Sequence, residues 1–372
     1  MTQLKLCEIT DIIMKITFLL STYGSGGAER TVAYLSEYFA EKGHQVDIVV
    51  TDGNVFYPNS DKVNIVQGNI QTENTDIISR IKAVYKRYSF VRKYMKQNKP
   101  DIVFCVLTDP IKYLFGLKKC FKLITSERNN PSHSLTKKEF LLRKICMKYA
   151  DSIVFQTERA QKLYSRKIQA KSVIIPNAIG NELVYEVPEI IERKKKLSAM
   201  GRLSRQKDYP TLIKAFKIVN EKYPDYTLEI FGKGKLENQL KNYVQELNLA
   251  DKVIFAGVTP DAILKIADSE CFVLSSRYEG MPNALMEAMA IGLPCVSTDC
   301  PNGPAELIEN EVNGLLVPVG DENALAYAIL RYIEDKDFAR MCGQNASKIK
   351  ESHSMEKNAK RFLEYFEAVV KE

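Results

Sequence analysis

Short apolar runs that do not alternate with polar residues recur along this chain, each followed by a stretch of helical spacing. That rhythm limits the fold before any single residue is considered. In the first half the runs are KITFLL, QVDIVV, DIVFCVL, KLITSE, SIVFQT and SVIIPN, with helical stretches such as Ala28–Lys42 and Asp76–Gln97 between them. A strand that is apolar on both faces must be covered on both, which points to parallel sheets flanked by helices. Near residues 186–196 the rhythm breaks at VPEIIERKKK, then restarts with LSAMGRL, TLEIFG, VIFAGV, CFVLSS, PCVSTD and GLLVPV. The expected architecture is α/β, with two Rossmann-like, doubly wound parallel-sheet domains facing each other across a cleft, 14–185 and 186–372. A C-terminal helix near 355–370 is a candidate to cross back to the first domain. Residues 1–13 precede a natural first strand that starts at Met14 and are expected to be an extension outside the fold. Ligands of such sheets bind beyond the carboxyl ends of the strands, so the cleft is the expected site.

Composition removes several classes. The apolar run Ile12–Leu20 is interrupted by Lys15 and falls far short of the roughly 20 residues that span a bilayer. Eight cysteines are scattered with no Cys-x-x-Cys, which argues against a zinc site. Cys105, Cys271 and Cys295 sit in strand-like runs and read as buried thiols of a protein kept in a reducing cytoplasm.

The net charge of +7 hides an asymmetry. Residues 1–180 hold 28 Lys and Arg against 16 Asp and Glu, and residues 181–372 hold 25 against 30, giving +12 and −5. Residues 80–150 alone carry 18 basic and 4 acidic side chains, a net +14. The first half therefore seeks an anionic partner. Within it, Asp76–Gln97 spaces Ile77, Ile81, Val84, Tyr88, Val91 and Met95 as an apolar stripe, expected to pack on the sheet. Arg80, Lys82, Lys86, Arg87, Arg92, Lys93 and Lys96 fill its other positions. With Thr136–Lys148 they form a basic surface suited to an anionic membrane or to the diphosphate of a lipid-linked acceptor. No nucleic-acid recognition motif appears, and nucleic acid is not expected as a partner.

Four loops carry candidate chemistry, each after an expected strand. Gly24-Ser25-Gly26-Gly27-Ala28-Glu29-Arg30 joins the first strand to the first helix, where glycines admit a ligand close to backbone amides. Glu29 stands where a dinucleotide fingerprint requires glycine, which disfavours an oxidoreductase. A tight turn with no ligand explains the loop as well. Met200–Asp208 brings Arg202 and Lys207 into one loop, where a guanidinium fork and an ammonium suit a diphosphate; a solvated basic loop is the plainer alternative. Phe231-Gly232-Lys233-Gly234 is a third glycine turn. In Arg277–Met289, Glu279 and Glu287 lie eight positions apart, the first in a loop and the second among the apolar residues of a helix. A glutamate there needs a polar partner, either a ribose diol or a capping or ion-pair contact. No Asp-x-Asp lies at a strand end, and no metal site is expected.

Together GGAER, GRLSRQKD, IFGKG, EGMPNALMEAMA and NGLLVPVGD resemble the family 4 retaining glycosyltransferases of GT-B fold, over nearly the whole chain from Met14. The SERNNP segment is similar to a subset that extends polyprenyl-diphosphate-linked glycans. The resemblance implies a UDP-sugar as donor substrate, no cofactor and no metal. It implies that Arg202 and Lys207 hold the donor diphosphate, that Glu279 faces the donor sugar and that Glu287 binds the ribose hydroxyls. Met281, Pro282 and Asn283 would lie against sugar and phosphates, with Gly232 nearby, and Gly26 and Gly27 would approach from the other domain. Many members carry a histidine where this chain has Glu127 and Arg128, with His133 further on, so these three stand as acceptor-side candidates. The implied activity is hexose or N-acetylhexosamine transfer in capsular, exopolysaccharide or cell-surface glycan synthesis, at the inner face of the cell membrane. An epimerase or phosphorylase of the same fold, or a non-catalytic sugar-nucleotide-binding scaffold, are the competing readings.

Overall fold

The computed structural model describes residues 13–24, 26–53, 55–70, 76–117, 121–128, 136–180 and 192–371. Residues 1–12 of the expected extension and the expected boundary near 185 lie outside them. The first sheet is built from β1 (Lys15–Leu20), β2 (Gln45–Val50), β3 (Val63–Gln67), β4 (Ile102–Cys105), β5 (Lys122–Glu127), β6 (Ser152–Phe155) and β7 (Ser172–Ile174). The second comprises β8 (Lys194–Met200), β9 (Thr227–Phe231), β10 (Val253–Gly257), β11 (Ser269–Leu274), β12 (Cys295–Thr298) and β13 (Leu315–Val317). The strand orders are β3-β2-β1-β4-β5-β6-β7 and β10-β9-β8-β11-β12-β13, with every pairing parallel. Both are doubly wound sheets in which the direction of winding reverses once, between β1 and β4 and between β8 and β11. At that reversal the loops leaving neighbouring strands diverge and open a crevice.

The strands β4, β6, β11 and β12 are buried along their whole length, which is why they read as unbroken apolar runs. The edge strand β3, Val-Asn-Ile-Val-Gln, is largely half-exposed with polar Asn64 and Gln67, and its pattern is too weak to stand out from sequence. The six described cysteines are free and buried.

Helices cover both faces of each sheet. On the first sheet α1 (Gly27–Glu41) lies on one face, and α2 (Ile77–Asn98) and α3 (Lys137–Tyr149) lie on the other. The short helix α4 (Glu158–Lys162) follows β6, and α5 (Tyr209–Lys222) and α6 (Asn283–Ala290) belong to the second sheet. The last helix, α7 (Met355–Lys371), packs Ala359, Phe362, Phe366 and Val369 into the core of the first sheet beside α1. Phe366 is fully buried, with its ring centroid 5.5 Å from Phe39 and 5.3 Å from Phe104. The outgoing and returning chain segments touch where Ile179 N–H donates to the His353 carbonyl at 2.8 Å.

The stripe expected to pack along α2 does so over only half its length. Val91 and Met95 are buried, but Ile77 is 74%, Ile81 65% and Val84 46% exposed. The cause is length. Twenty-two residues make a helix of about 33 Å, whereas a six-residue strand spans only about 20 Å. The helix runs antiparallel to the strands, so its first turns overhang the carboxyl edge. Asp76 caps it by accepting from Ser79 N–H at 2.9 Å, and Lys99 in left-handed conformation ends it. Helix α3 similarly leaves Leu141, Leu142 and Ile145 exposed.

Removing the Phe366 ring should open a cavity among Phe39, Phe104 and Phe362. Phe366→Ala is expected to cost about 3–5 kcal/mol, read as an earlier urea transition. Ile81→Ser should stay within about 0.5 kcal/mol of wild type, since that side chain covers nothing.

Candidate active site

The second sheet's reversal point brings the two most informative loops together. The loop leaving β8 carries Arg202, Gln206 and Lys207, and the loop leaving β11 carries Ser276 and Glu279. Lys207 Nζ meets Glu279 Oε1 at 2.6 Å, Ser276 Oγ donates to the same oxygen at 2.6 Å, and Gln206 Nε2 donates to Oε2 at 3.2 Å. Glu279 is buried, so this cation and these donors are what make its charge tolerable there. Lys207 has three N–H donors, and its contact with Glu279 uses one. Arg202 is exposed and makes no hydrogen bond or ion pair among the described residues. Glycine is required where the loop leaving β9 crosses the β8 loop: Gly232 has φ +141°, and a Cβ there would lie 2.0 Å from the Gly201 carbonyl oxygen.

Glu287 lies on α6 and faces the first domain. Its Oε1 is 3.1 Å from Nη1 of Arg30, in the second turn of α1. The amino ends of α1 and α6 oppose each other, since a Cβ on Gly27 would meet the Asn283 amide nitrogen at 3.1 Å. Gly26 is the cap residue of α1 and Pro282 that of α6, and neither supplies a capping side chain. Two helix amino termini, each the positive end of its dipole, thus converge with Arg30 on one narrow region, where the Glu29 carboxylate folds back against Gly26. A small cavity there is lined by Gly27, Arg30, Thr31, Tyr34, Asn177 and Asn283 among others.

Asn177 joins the two halves. Its backbone N–H donates to Met281 Sδ at 3.1 Å and its side-chain N–H₂ to Asn283 Oδ1 at 2.7 Å. Its Oδ1 accepts from Arg128 Nη1 at 3.1 Å and from Gln156. Arg128 also reaches Thr31 Oγ1 at 2.9 Å and Ser126 Oγ at 3.2 Å. Its hydrogen-bond partners are neutral, and burial lowers its guanidinium to about 10 against the opposing pull of Tyr34 and Glu29. The Arg128 carbonyl lies so close to Gly280 that a Cβ there would sit 2.3 Å from it.

The acceptor-side candidates do not stay together. Successive strand residues point to opposite faces. Arg128 shares the α1 face with Ser126, while Glu127 turns to the α3 face. There Glu127 is buried, with Arg143 Nη1 at 2.7 Å and the Tyr164 hydroxyl at 2.6 Å. It is paired there on the face opposite to Arg128. His133 lies outside the described residues. Arg30, Asn177, Gln156, Gln206 and Ser276 were not singled out from sequence. Arg30 alone had a signal, a cation following a glycine loop at a helix start. The others are ordinary polar residues whose importance comes from long-range contacts. Among the described residues no group of three or more His, Cys, Asp or Glu is placed to hold a metal ion.

The Lys207–Glu279 pair should behave as a unit. Lys207→Ala strands a buried carboxylate, and Glu279→Ala strands the cation. A double-mutant cycle in urea should give a coupling of about 1–3 kcal/mol. Strict additivity would mean that the two side chains hold their places independently.

The comparisons with known proteins fit this geometry. Residues 25–182 match the model described as Glycosyltransferase Family 4, and residues 184–349 match that of Glycosyl transferases group 1. The chain is 32% identical over 281 residues, 68% of each protein, to an uncharacterized glycosyltransferase of Methanocaldococcus jannaschii. It is 27% identical over 341 residues, 90% of this chain and 93% of the relative, to a Campylobacter jejuni enzyme. That enzyme is named as an α-1,4-N-acetyl-D-galactosaminyltransferase for GalNAc-α-(1→4)-GalNAc-α-(1→3)-diNAcBac-PP-undecaprenol. Sucrose-phosphate synthase from Thermosynechococcus elongatus shares the fold, with a TM-score of 0.81 and 20% identity over 95% of this chain and 99% of that one. The chain belongs to the family 4 glycosyltransferases and is a transferase enzyme of GT-B fold.

Proposed function

We propose that this enzyme transfers a hexose or N-acetylhexosamine from a UDP-sugar to a glycan carried on a polyprenyl diphosphate, retaining the anomeric configuration, in capsular, exopolysaccharide or cell-surface glycan synthesis. The observation that carries the proposal is the cluster at the β8/β11 reversal, where Lys207, Ser276 and Gln206 hold a buried carboxylate and the same loop carries Arg202, exposed and without a partner among the described residues. When the bond between the anomeric carbon and the β-phosphate oxygen breaks, negative charge grows on the departing diphosphate. Arg202 and the remaining donors of Lys207 are the groups available to receive it, and preorganised donors of this kind are worth roughly 10²–10³ in rate each. Glu279, fixed by Lys207, Ser276 and Gln206, is rigid enough to orient donor-sugar hydroxyls. Glu287 accepts from the ribose hydroxyls, the amides around Met281–Asn283 line the sugar and phosphates, and Gly26, Gly27 and Gly232 leave room for them. Arg128, on the first-domain wall, and His133 are kept as acceptor-side candidates. The cations do the work a metal does elsewhere, and no cofactor enters.

The acceptor's lipid implies work at a membrane. No helix of the described residues is long and apolar enough to cross one. The proposal is peripheral docking on the inner face of the cell membrane through residues 80–150. The overhanging start of α2 sharpens it, because Ile77, Ile78, Ile81, Val84 and Tyr85 are exposed among Arg80, Lys82 and Lys86. An apolar strip bordered by cations suits the interface of an anionic bilayer, with both insertion and charge contributing.

Two measurements test these assignments. In excess EDTA, UDP should still bind the wild-type protein. Arg202→Ala and Lys207→Ala should each weaken it by about 1.5–3 kcal/mol, the worth of a charge-assisted hydrogen bond. Unchanged calorimetric affinity in both variants removes the diphosphate assignment. On vesicles, the protein should co-sediment with anionic lipid and bind neutral lipid little. Salt at 1 M, where the screening length falls to about 3 Å, should release most but not all of it. Replacing Ile77, Ile81 and Tyr85 by serine should remove the salt-resistant fraction. Equal binding to neutral and anionic vesicles would eliminate the role of the cations.

A further inference from the structure

Arg30 has no part in the functions assigned so far, yet it is a first-domain side chain in contact with Glu287. It stands in the second turn of α1, its guanidinium 3.1 Å from the Glu287 carboxylate and one-third exposed. One residue further along, Thr31 holds Arg128 through its hydroxyl at 2.9 Å. Arg30 and Arg128 both act on the Tyr34 hydroxyl, and Arg128 is satisfied by neutral groups. The same region receives the amino ends of α1 and α6. Glu29 lies against Gly26 at the start of α1 and Glu287 against Arg30, so both signs of charge meet at this point of the cleft.

We propose that Arg30 bridges Glu287 and the phosphates of the donor, so that the nucleotide site is complete only when both domains contribute to it. The inference rests on the reading of Glu287 as the ribose ligand. A ribose and its 5′-phosphate are adjacent groups of one molecule. A side chain that touches the carboxylate holding the ribose is within reach of the phosphates that follow. Guanidinium geometry permits both contacts, since five N–H donors lie in one plane and a carboxylate oxygen takes only one or two of them. The carboxylate likewise retains acceptor sites for ribose hydroxyls while bound to Arg30. Arg202 and Lys207 then grip the diphosphate from the second domain and Arg30 from the first. Binding of the phosphates thereby draws the cleft shut.

The test separates phosphate contact from mere positioning of Glu287. Dissociation constants for uridine and for UDP are measured by ligand-observed NMR on the full-length chain. The variants are Arg30→Ala, Arg30→Lys and Glu287→Gln, each first shown by thermal unfolding to be folded. Arg30→Ala is expected to weaken UDP roughly tenfold or more beyond its effect on uridine, the factor expected for one charge-assisted hydrogen bond. Arg30→Lys, which keeps the charge and loses the fork, should recover part of that difference. If Arg30→Ala leaves the ratio of UDP to uridine affinity unchanged, the inference is overturned. That holds whether both ligands weaken, as for a residue that only orients Glu287, or both tighten, as for one that only competes with ribose. If Glu287→Gln alters neither ligand, the ribose assignment itself fails, and the proposal falls with it for a separate and recognisable reason.

Discussion

Parallel strands joined by right-handed crossovers send every strand-to-helix loop to the carboxyl edge of its sheet. The rest of this molecule depends on that constraint applied twice. Each sheet has one point where the winding reverses and its loops part, and the two points face each other. The Gly26-Gly27 turn follows β1, the Arg202–Lys207 loop follows β8, Gly232 follows β9 and Glu279 follows β11. Residues separated by 72 positions, such as Lys207 and Glu279, come within hydrogen-bond reach because both leave the same edge.

The two kinds of contact between the halves differ sharply in strength. Helix α7 comes from the end of the chain and buries Phe362 and Phe366 in the first domain's core, where each aromatic ring is worth several kcal/mol. The cleft is closed by a polar seam instead. Arg30 meets Glu287, Arg159 meets Asp299 at 3.0 Å, and Glu306 accepts from the first amides of α4 at 3.1 Å. The Arg159–Asp299 pair is about half exposed on both sides, and such pairs contribute about 0–1 kcal/mol. The domains are thus tied together at the back by apolar packing and held at the front by contacts that water and ligand can replace. On the proposed function, a site that admits a nucleotide-sugar and releases a nucleotide needs that difference.

Much of this was readable in the sequence, and what was not has identifiable causes. The buried strands announced themselves because burial on both faces leaves no polar alternation. The Arg202, Lys207, Glu279 and Glu287 positions were legible because charged residues at strand ends and within an apolar helix demand partners. The edge strand β3 was missed because half of it faces solvent. The α2 stripe was read as sheet packing along its whole length because periodicity reports a face, not what covers it. Glu127 and Arg128 stand together in the sequence reading because both occupy the region where many family members carry a histidine, although strand alternation assigns them to opposite faces: Leu123 and Glu127 share one side, Ile124, Ser126 and Arg128 the other. Asn177 offered no local signal, since nothing about an asparagine after a short strand says that Arg128, Met281 and Asn283 will meet it.

The overhang of α2 bears on the acceptor as well as on the membrane. A helix that follows a parallel strand begins at the carboxyl edge, so the exposed apolar turns at the start of α2 lie on the same edge as the cleft. On the proposed function, a lipid-linked glycan must reach Glu279 while its diphosphate and polyprenyl chain remain at or in the bilayer. A docking surface on the opposite, amino edge would turn the cleft away from the lipid. With the apolar turns and the +14 of residues 80–150 on the first domain and a net −5 on the second half, an anionic surface attracts the acceptor domain and repels the donor domain. On the proposed function, the charge asymmetry orients the enzyme at the membrane, with the second domain held on the side from which nucleotide arrives.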